Sequence, residues 1–188
     1  MATIMIIRHA EKPNGDLGAT SGGVEDKRSL TPTGWQRAGA WAEMFLPSLG
    51  QTSALPKQTA IYASAPASHA EIHAGEGGSK SQRPLETVTP LASKAGIEVD
   101  QSFMKGQEAN LAHAISGTDS VVLVCWQHED IAAIARAITP AAHGIPANDW
   151  PDDRFNVMFR FDRRDNASPW IFQQIVPIML AGDKPDKI

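Results

Sequence analysis

The chain has 188 residues and a mass of 20.2 kDa, which suits a single domain spanning residues 1–188. Apolar residues make up 42% and charged residues 20%, the usual proportions of a globular protein, so a disordered or fibrous chain is excluded. The 17 lysines and arginines against 21 aspartates and glutamates give a net charge of −4. This balance provides no sequence-wide positive surface for nucleic acid or an anionic membrane.

Cysteine content and hydropathy bear on the compartment. Cys125 is the single cysteine, which excludes an intrachain disulfide and favours a reducing environment. The longest apolar run, Val121–Trp126, is far too short to span a membrane. The N-terminal residues lack the basic segment that precedes the apolar part of a signal peptide. We therefore expect a soluble, cytoplasmic protein, whose oligomeric state the sequence leaves open.

The first predicted elements are a strand, a loop and a helix. Residues Ile4–Ile7 are apolar and rich in β-branched side chains, which predicts a buried strand. Pro13–Leu30 is polar, rich in glycine and without periodicity, so we expect a long functional or mobile loop. Thr31 and Pro32 are typical of a helix N-cap and first helical residue, and Pro47 should end that helix.

The next part of the chain predicts a strand and then a second long loop. Thr59–Ala63 is the strand, and Ser64–Lys80 is the loop, with Gly75–Gly78 at its centre. Within this loop the segment His69–His73 places two histidines four residues apart. Since alanine follows the first of them where zinc metalloproteases have glutamate, we expect an exposed loop and no zinc site.

Two helices are predicted next. One begins near Ser81, is interrupted at Pro90, resumes as a shorter helix and ends at Gly96. The other covers Glu108–Ile115.

The last third of the chain completes the predicted fold. Val121–Trp126 is the clearest buried strand, and apolar residues over 131–138 recur at helical spacing. Phe155–Asp162 alternates apolar and polar residues, which predicts a strand with one apolar face, and Trp170–Val176 is its expected neighbour. Strands alternating with helices, followed by two adjacent strands, predict a three-layer α/β/α sandwich with a mostly parallel sheet and an antiparallel edge.

Two of the predicted strands end on histidine. The first continues into Arg8 and His9, and the strand Val121–Trp126 continues into Gln127 and His128. Because ligands bind beyond the carboxyl ends of parallel strands, both histidines are expected at one edge of the sheet. A single such histidine is usually structural, but two at equivalent positions, one next to arginine, favour a functional site.

Cys125 lacks the arginine six residues later that a cysteine-dependent phosphatase needs, because Ile131 stands there.

Four segments in this order resemble the histidine phosphatase superfamily, also called the phosphoglycerate mutase-like group. Arg8–Glu11 matches the superfamily's Arg-His signature, and Leu30–Ala38 is similar to its Leu-Thr-x-x-Gly-x-x-Gln-Ala stretch. Ile61–Ser64 with Ser81–Thr87 resembles the strand and helix that carry the second arginine, and Val121–His128 resembles the strand before the second histidine. The resemblance implies a phosphoglycerate mutase-like fold.

The resemblance also implies roles for four residues. His9 would attack phosphorus and carry the phosphoryl group. Arg8 and Arg83 would bind the phosphoryl oxygens, because a planar guanidinium group can donate two parallel hydrogen bonds to two oxygens. His128 would add a further hydrogen-bond donor where negative charge develops. Positioning and charge stabilisation supply most of catalysis in phosphoryl transfer, so no metal or other cofactor is expected.

The proton donor is less well defined by the sequence, because two glutamates compete for the role. Glu108 lies at about the superfamily's usual distance after the second arginine, and Glu129 directly follows His128, as the acid does in another branch. The resemblance favours Glu108. Glu11 is expected at the edge of the site, and Trp126 and Trp150 are the tryptophans expected near it.

The predicted function is hydrolysis of a phosphomonoester through phosphohistidine at His9, in the manner of a histidine acid phosphatase. The substrate would be a phosphorylated small molecule or phosphopeptide, and neither nucleic acid nor membrane is an expected partner. A phosphomutase with the same chemistry is one alternative, although Glu11–Pro13 replaces the residues that mutases of the superfamily have there. A non-catalytic module that binds a phosphorylated ligand is the other.

Overall fold

The computed structural model describes residues 1–48, 50–74, 78–140, 143–146 and 150–188. Within these residues, six strands form one mixed sheet, and five helices accompany it. The strands are β1 (Ala2–Arg8), β2 (Ala60–Ala63), β3 (Val99–Asp100), β4 (Val121–Trp126), β5 (Met158–Arg163) and β6 (Ile171–Ile175). The helices are α1 (Pro32–Phe45), α2 (His69–His73), α3 (Arg83–Ala95), α4 (Glu108–Ser116) and α5 (His128–Ile138).

The sheet has the strand order β3-β2-β4-β1-β5-β6. Strands β1 to β4 are mutually parallel, β5 runs antiparallel to β1, and β6 runs antiparallel to β5. The mostly parallel sheet with an antiparallel side is therefore as predicted. β1 and β4 are central neighbours, with Arg8 level with Trp126, so both strands end at the same edge of the sheet.

Apolar side chains cover both faces of the sheet. On one face, alternate residues of β1 and β4 pack with α4 and α5, and the cluster includes Ile6, Val124 and Ile134. On the other face, the intervening residues pack with α1 and α3, and Ile7 and Trp41 belong to that cluster. This arrangement confirms the predicted three layers. No helix in the described part of the chain is long and apolar enough to cross a membrane.

Helix α1 begins as predicted. Thr31 caps it, since its hydroxyl accepts a hydrogen bond from Gly34 N at 3.1 Å, and Pro32 is its first residue. A Cβ atom at Gly34 would lie 2.8 Å from the backbone oxygen of Glu11. Glycine at this position of the Leu-Thr-x-x-Gly stretch therefore lets α1 approach the segment that follows β1.

Two predictions about helices are wrong. The loop predicted over residues 64–80 contains the short helix α2, because Ser68 and Glu71 cap its start reciprocally. Three residues from the centre of that loop, 75–77, lie outside the described residues. Pro90 does not interrupt α3, which runs unbroken to the left-handed Gly96, with φ 68°, as the predicted C-terminal cap. A proline in a helix removes one backbone hydrogen bond, and packing of Val88 and Leu91 in the core stabilises the helix despite this loss.

Two predictions about strands also need correction. The alternation over Phe155–Asp162 predicted a strand from Phe155, whereas β5 begins at Met158. The preceding residues form a loop whose backbone carbonyls bind Arg8, as described below. The two-residue edge strand β3 was not predicted, because it is too short to produce a periodic pattern.

Candidate active site

The segment that carries His9 is fixed by backbone hydrogen bonds to two other elements. His9 N donates to the carbonyl oxygen of Trp126 at the end of β4, at 3.0 Å. Ala10 N donates to the hydroxyl oxygen of Thr87 in α3, at 2.9 Å. The end of β1 is thus joined to both the neighbouring strand and the helix that begins with Arg83.

The imidazole of His9 is 3% exposed and has a defined tautomer. Its Nδ1 lies 2.8 Å from the carbonyl oxygen of Ala10. Since a carbonyl only accepts hydrogen bonds, Nδ1 carries the hydrogen, and in the neutral ring the lone pair is on Nε2. Burial, followed by the nearby charges of Arg8 and Arg83, lowers the pKa of His9 to about 3. The ring is therefore neutral near pH 7 and has the electronic form of a nucleophile.

Arg8 is fully buried beside His9. Its Nη1 donates to the carbonyl oxygens of Pro151 and Asp152, both at 2.9 Å, and of Arg154 at 3.3 Å. The guanidinium carbon lies 4.0 Å from the ring centroid of Phe155. Nε and Nη2 are buried without a hydrogen-bond partner. Burial lowers the pKa of Arg8 to about 10, which leaves it a cation near pH 7 with two donors unused.

Arg83 is the first residue of α3 and is half-buried. Its Nη2 donates to the carbonyl oxygen of Lys27 at 3.4 Å, and its Nε is buried without a hydrogen-bond partner. Burial lowers the pKa of Arg83, and its charge in turn contributes to the lowered pKa of His9. A second arginine therefore brings a free donor and a positive charge to the surroundings of the imidazole.

His128 is the first residue of α5. Its ring centroid lies 6.4 Å from that of His9, and the two rings are inclined at 88°. Both of its ring nitrogens lie near carboxylates. Nδ1 is 2.8 Å from Oε2 of Glu129 without the alignment of a hydrogen bond, and Nε2 is 3.3 Å from Oδ1 of Asp152.

Glu129 connects His128 with a lysine. Its Oε1 accepts a short hydrogen bond from Nζ of Lys105, which also lies 3.4 Å from Oδ2 of Asp130. The contact with His128, followed by the hydrogen bond from Lys105, holds the pKa of Glu129 well below its usual range. Glu129 is thus ionised near pH 7.

The Glu108 carboxylate binds the indole of Trp126 and the backbone of Gly106. Its Oε1 accepts hydrogen bonds from Trp126 Nε1 and from Gly106 N, both at 2.9 Å. Its role as proton donor therefore stays a prediction from the resemblance.

The structure thus brings Arg8, His9, Arg83 and His128 together. Sequence analysis missed Asp152 and Lys105, which lie in segments without a recognisable motif, and Phe155, which was assigned to a strand. Of the tryptophans expected near the site, Trp150 donates to the carbonyl oxygen of Arg154 at 2.7 Å, and Arg8 binds the same oxygen. Trp126 Nε1 binds Glu108, as described above.

A cavity of about 490 Å³ adjoins these residues. Asp152, which contacts His128, and Glu11 both lie in its wall, so the predicted position of Glu11 at the edge of the site agrees with the structure. Most of the lining residues are polar, and four of them carry a carboxyl group. The lining residues are Glu11, Lys12, Asn14, Asp16, Thr31, Thr33, Asp152, Asp153 and Phe155. Among the residues that the structure describes, no group of three or more metal-ligating side chains is arranged to hold an ion.

Comparison with known proteins identifies the fold. No protein-family model and no curated protein sequence matches the chain. Among solved structures, a mycobacterial glucosyl-3-phosphoglycerate phosphatase in complex with VO3 is similar, with 13% identity, a TM-score of 0.53, and coverage of 93% of this chain and 97% of that chain. A phosphoserine phosphatase mutant from Entamoeba histolytica in complex with phosphoserine has 11% identity, a TM-score of 0.52, and coverage of 96% and 98%.

The similarity extends over nearly the whole length of both neighbours. At identities this low, it shows that the fold is shared. The element order and the mixed sheet agree with the fold that the sequence resemblance implied. The chain has a phosphoglycerate mutase-like α/β fold.

Proposed function

We propose that this protein is a phosphatase that hydrolyses a phosphomonoester through a phosphohistidine intermediate on His9, without a metal. The observation that carries the proposal is the hydrogen bond from Nδ1 of His9 to the Ala10 carbonyl, at 2.8 Å. It leaves the lone pair on Nε2 of a buried, neutral ring. Two arginines and a second histidine lie around that ring, which suits attack on phosphorus rather than a structural role.

Unused donors support phosphate as the ligand. Nε and Nη2 of Arg8 and Nε of Arg83 are buried without hydrogen-bond partners. A buried donor without a partner costs about 1–3 kcal/mol, more for a charged group, so a ligand that supplies acceptors is favoured. The non-bridging oxygens of a phosphoryl group would supply them and would be paired with two cations. His128, when protonated, would add a further donor.

The reaction has two steps. In the first, Nε2 of His9 bonds to phosphorus, the bond from phosphorus to the ester oxygen breaks, and that oxygen takes a proton as the alcohol leaves. In the second, water bonds to phosphorus, the phosphorus–nitrogen bond breaks, and the proton of the water passes to a carboxylate. That carboxylate then releases the proton to solvent, and the proton donor of the first step takes one up from solvent. Inorganic phosphate is released and neutral His9 is restored. Covalent catalysis of this kind replaces one difficult displacement by two easier ones.

The two glutamates suit different steps. Glu129 is ionised and contacts His128, and its charge acts on both Arg8 and Arg83. An ionised carboxylate has no proton to give to the leaving group, so we assign Glu129, which contacts His128, to the second step, as the group that accepts a proton from water. Glu108 remains the proposed proton donor of the first step, where an alkoxide needs a proton to leave.

The neighbours with the same fold support a phosphorylated substrate. They are described as phosphatases of glucosyl-3-phosphoglycerate and of phosphoserine, which are phosphate esters of small molecules. The cavity of about 490 Å³, whose wall includes Asp152 next to His128, has room for a leaving group of such a size. We propose a phosphorylated small molecule or phosphopeptide as the substrate.

The test is turnover of p-nitrophenyl phosphate together with trapping of the intermediate. We expect release of inorganic phosphate that persists with a chelator and stops with vanadate. Denaturing quench during turnover should leave phosphate bound to the protein in a form stable to base and labile to acid. His9→Ala should abolish both signals, while His113→Ala, at an exposed histidine of α4, should keep them. Full activity of the His9→Ala variant would disprove the assignment of the nucleophile.

The same experiment separates the alternatives. A module that binds a phosphorylated ligand without turnover would bind vanadate and release no phosphate. A mutase would transfer the phosphoryl group to a second hydroxyl of the substrate in preference to water.

A further inference from the structure

The carboxylate of Asp152 lies close to Arg8 and His128, the two side chains that bind phosphate in the proposed function. Its Oδ1 lies 3.3 Å from Nε2 of His128 and 3.8 Å from Nη2 of Arg8. The same oxygen lies 3.3 Å from Nζ of Lys12, whose hydrogen bond keeps the pKa of Asp152 below its usual range. A negatively charged oxygen therefore already lies where three positively charged or hydrogen-bonding groups converge.

We propose that the Asp152 side chain is a gate of the phosphoryl site, which competes with phosphate for Arg8 and His128 and turns away when a phosphate ester binds. The proposal rests on the proposed function, because that function makes these two residues phosphate ligands. The Asp152 carboxylate and a phosphate dianion are both attracted by the positive charge of Arg8, and they repel each other at a separation of a few ångströms. A phosphate ester therefore binds less tightly while Asp152 keeps this position.

Only the side chain of Asp152 has to move. Nη1 of Arg8 holds the backbone carbonyls of Pro151 and Asp152 at 2.9 Å, so the loop is attached to the site by its backbone. The side chain of Asp152 is 79% exposed, and no packing opposes its rotation. Lys12, itself partly exposed, can keep its contact with the carboxylate as it turns toward solvent.

The gate also faces the adjoining cavity. Asp152 and Lys12 are both in the wall of the cavity of about 490 Å³ that we assign to the leaving group. An ester whose phosphoryl group binds Arg8 and His128 lies beside the carboxylate of Asp152, which contacts both residues. Asp152 thus reduces the affinity for every phosphoryl ligand, because only the fraction of molecules with the side chain turned away binds at full affinity.

The experiment measures the affinity of inorganic phosphate and of orthovanadate by isothermal titration calorimetry. Asp152→Asn keeps the shape of the side chain and removes its charge, and we expect it to bind both anions about fivefold or more tightly than the original protein. Asp165→Asn is the control. It changes the net charge equally, but at an exposed carboxylate that pairs with Arg164 and lies outside the site and the cavity wall. We expect its affinities to stay within about twofold of the original.

The outcomes distinguish this proposal from the proposed function. Unchanged or weaker anion binding by Asp152→Asn, or equal tightening by both variants, would overturn the gate even in an active enzyme. Tighter binding confined to Asp152→Asn supports the gate. If no ester is hydrolysed in the same experiments, that result overturns the proposed function and leaves the gate supported. Absence of anion binding by all three proteins would overturn the phosphoryl site and the gate with it. Thermal unfolding of each variant shows that it is folded.

Discussion

Oε2 of Glu129 lies 2.8 Å from Nδ1 of His128, its neighbour along α5. Two consecutive helical residues do not normally face each other, and these two are in contact at the first turn of α5. Lys105 binds the other oxygen of the same carboxylate. The second histidine, a carboxylate and a lysine therefore form one connected group at the site.

Loss of the Glu129 carboxylate should slow the second step of the proposed reaction. In Glu129→Gln, nothing in this position accepts the proton of the attacking water, so we expect kcat to fall about 10²-fold or more. Because the first step remains, p-nitrophenol should appear in a fast burst equal to the enzyme concentration, followed by slow turnover. Stopped-flow absorbance measures both phases.

Glu98→Gln, at an exposed glutamate next to β3, is the control for Glu129→Gln and should behave like the original protein. A Glu129→Gln variant that is slow without any burst would show that Glu129 acts in the first step instead.

Lys105 should act through Glu129. In Lys105→Met the carboxylate loses the hydrogen bond that orients it, so we expect kcat to fall about tenfold, with KM for p-nitrophenyl phosphate nearly unchanged. The burst should resemble that of Glu129→Gln, and the double variant should be no slower than Glu129→Gln alone. Lys94→Met breaks a comparable ion pair with Glu43 on the surface and should not affect turnover. Additive losses in the double variant would mean that Lys105 acts independently of Glu129.

The proton donor can be tested by varying the leaving group. If Glu108 protonates the departing oxygen, Glu108→Gln should lose little activity toward p-nitrophenyl phosphate and about 10²-fold or more toward an alkyl phosphate. The reason is that p-nitrophenolate leaves without a proton, whereas an alkoxide does not. Steady-state kcat/KM over a series of esters measures the trend. The same loss for every ester would mean that Glu108 supports Trp126 through its hydrogen bond and transfers no proton.

Much of the fold could be predicted from the sequence. The apolar run over residues 121–126 forms β4 at those residues, and Thr31 and Pro32 begin α1 as their chemistry indicates. Such signals are local, because a residue's own propensity and periodicity determine them. The placement of His9 beside His128 also followed, since both come directly after central parallel strands and such strands end at one edge.

The rest depends on contacts between residues distant along the chain. Asp152 lies more than 20 residues along the chain from Arg8, Lys12 and His128, in a loop without periodicity, and its position follows from backbone carbonyls bound to Arg8. Pro90 predicted a break that packing in the core overrides. The resemblance alone could not decide whether Glu108 or Glu129 is the proton donor, because it matches positions along the sequence and provides no contacts between side chains.

Arg37 should be important for stability rather than for the reaction. It is buried in α1, and its Nε binds Oε1 of Glu11 at 2.7 Å while its Nη2 binds Oδ1 of Asp183 at 2.8 Å. Arg37→Met would leave two largely buried carboxylates without their cation, so we expect a loss of about 3–5 kcal/mol in the free energy of unfolding. Arg164→Met, at an exposed ion pair with Asp165, should change it by less than about 0.5 kcal/mol. Urea denaturation measures both, and a loss below about 1 kcal/mol for Arg37→Met would show that the network contributes little.

Burial of His9 should make stability depend on pH in a defined direction. The pKa of histidine in an unfolded chain is about 6.5, and burial lowers that of His9 to about 3. Between these values the unfolded chain binds a proton at His9 and the folded protein does not, so stability falls as pH falls. Each pH unit well inside this range should cost about 1.4 kcal/mol of the free energy of unfolding.

The variant His9→Asn removes this titration and retains a polar side chain at the position. Between about pH 7 and about pH 5 we expect the original protein to lose about 2 kcal/mol more stability than His9→Asn, because other groups titrate equally in both. Urea denaturation at each pH measures the difference. Parallel stability curves would mean that His9 keeps an ordinary pKa in the folded protein. The proposed first step requires the neutral imidazole, and with an ordinary pKa His9 would be protonated at acidic pH.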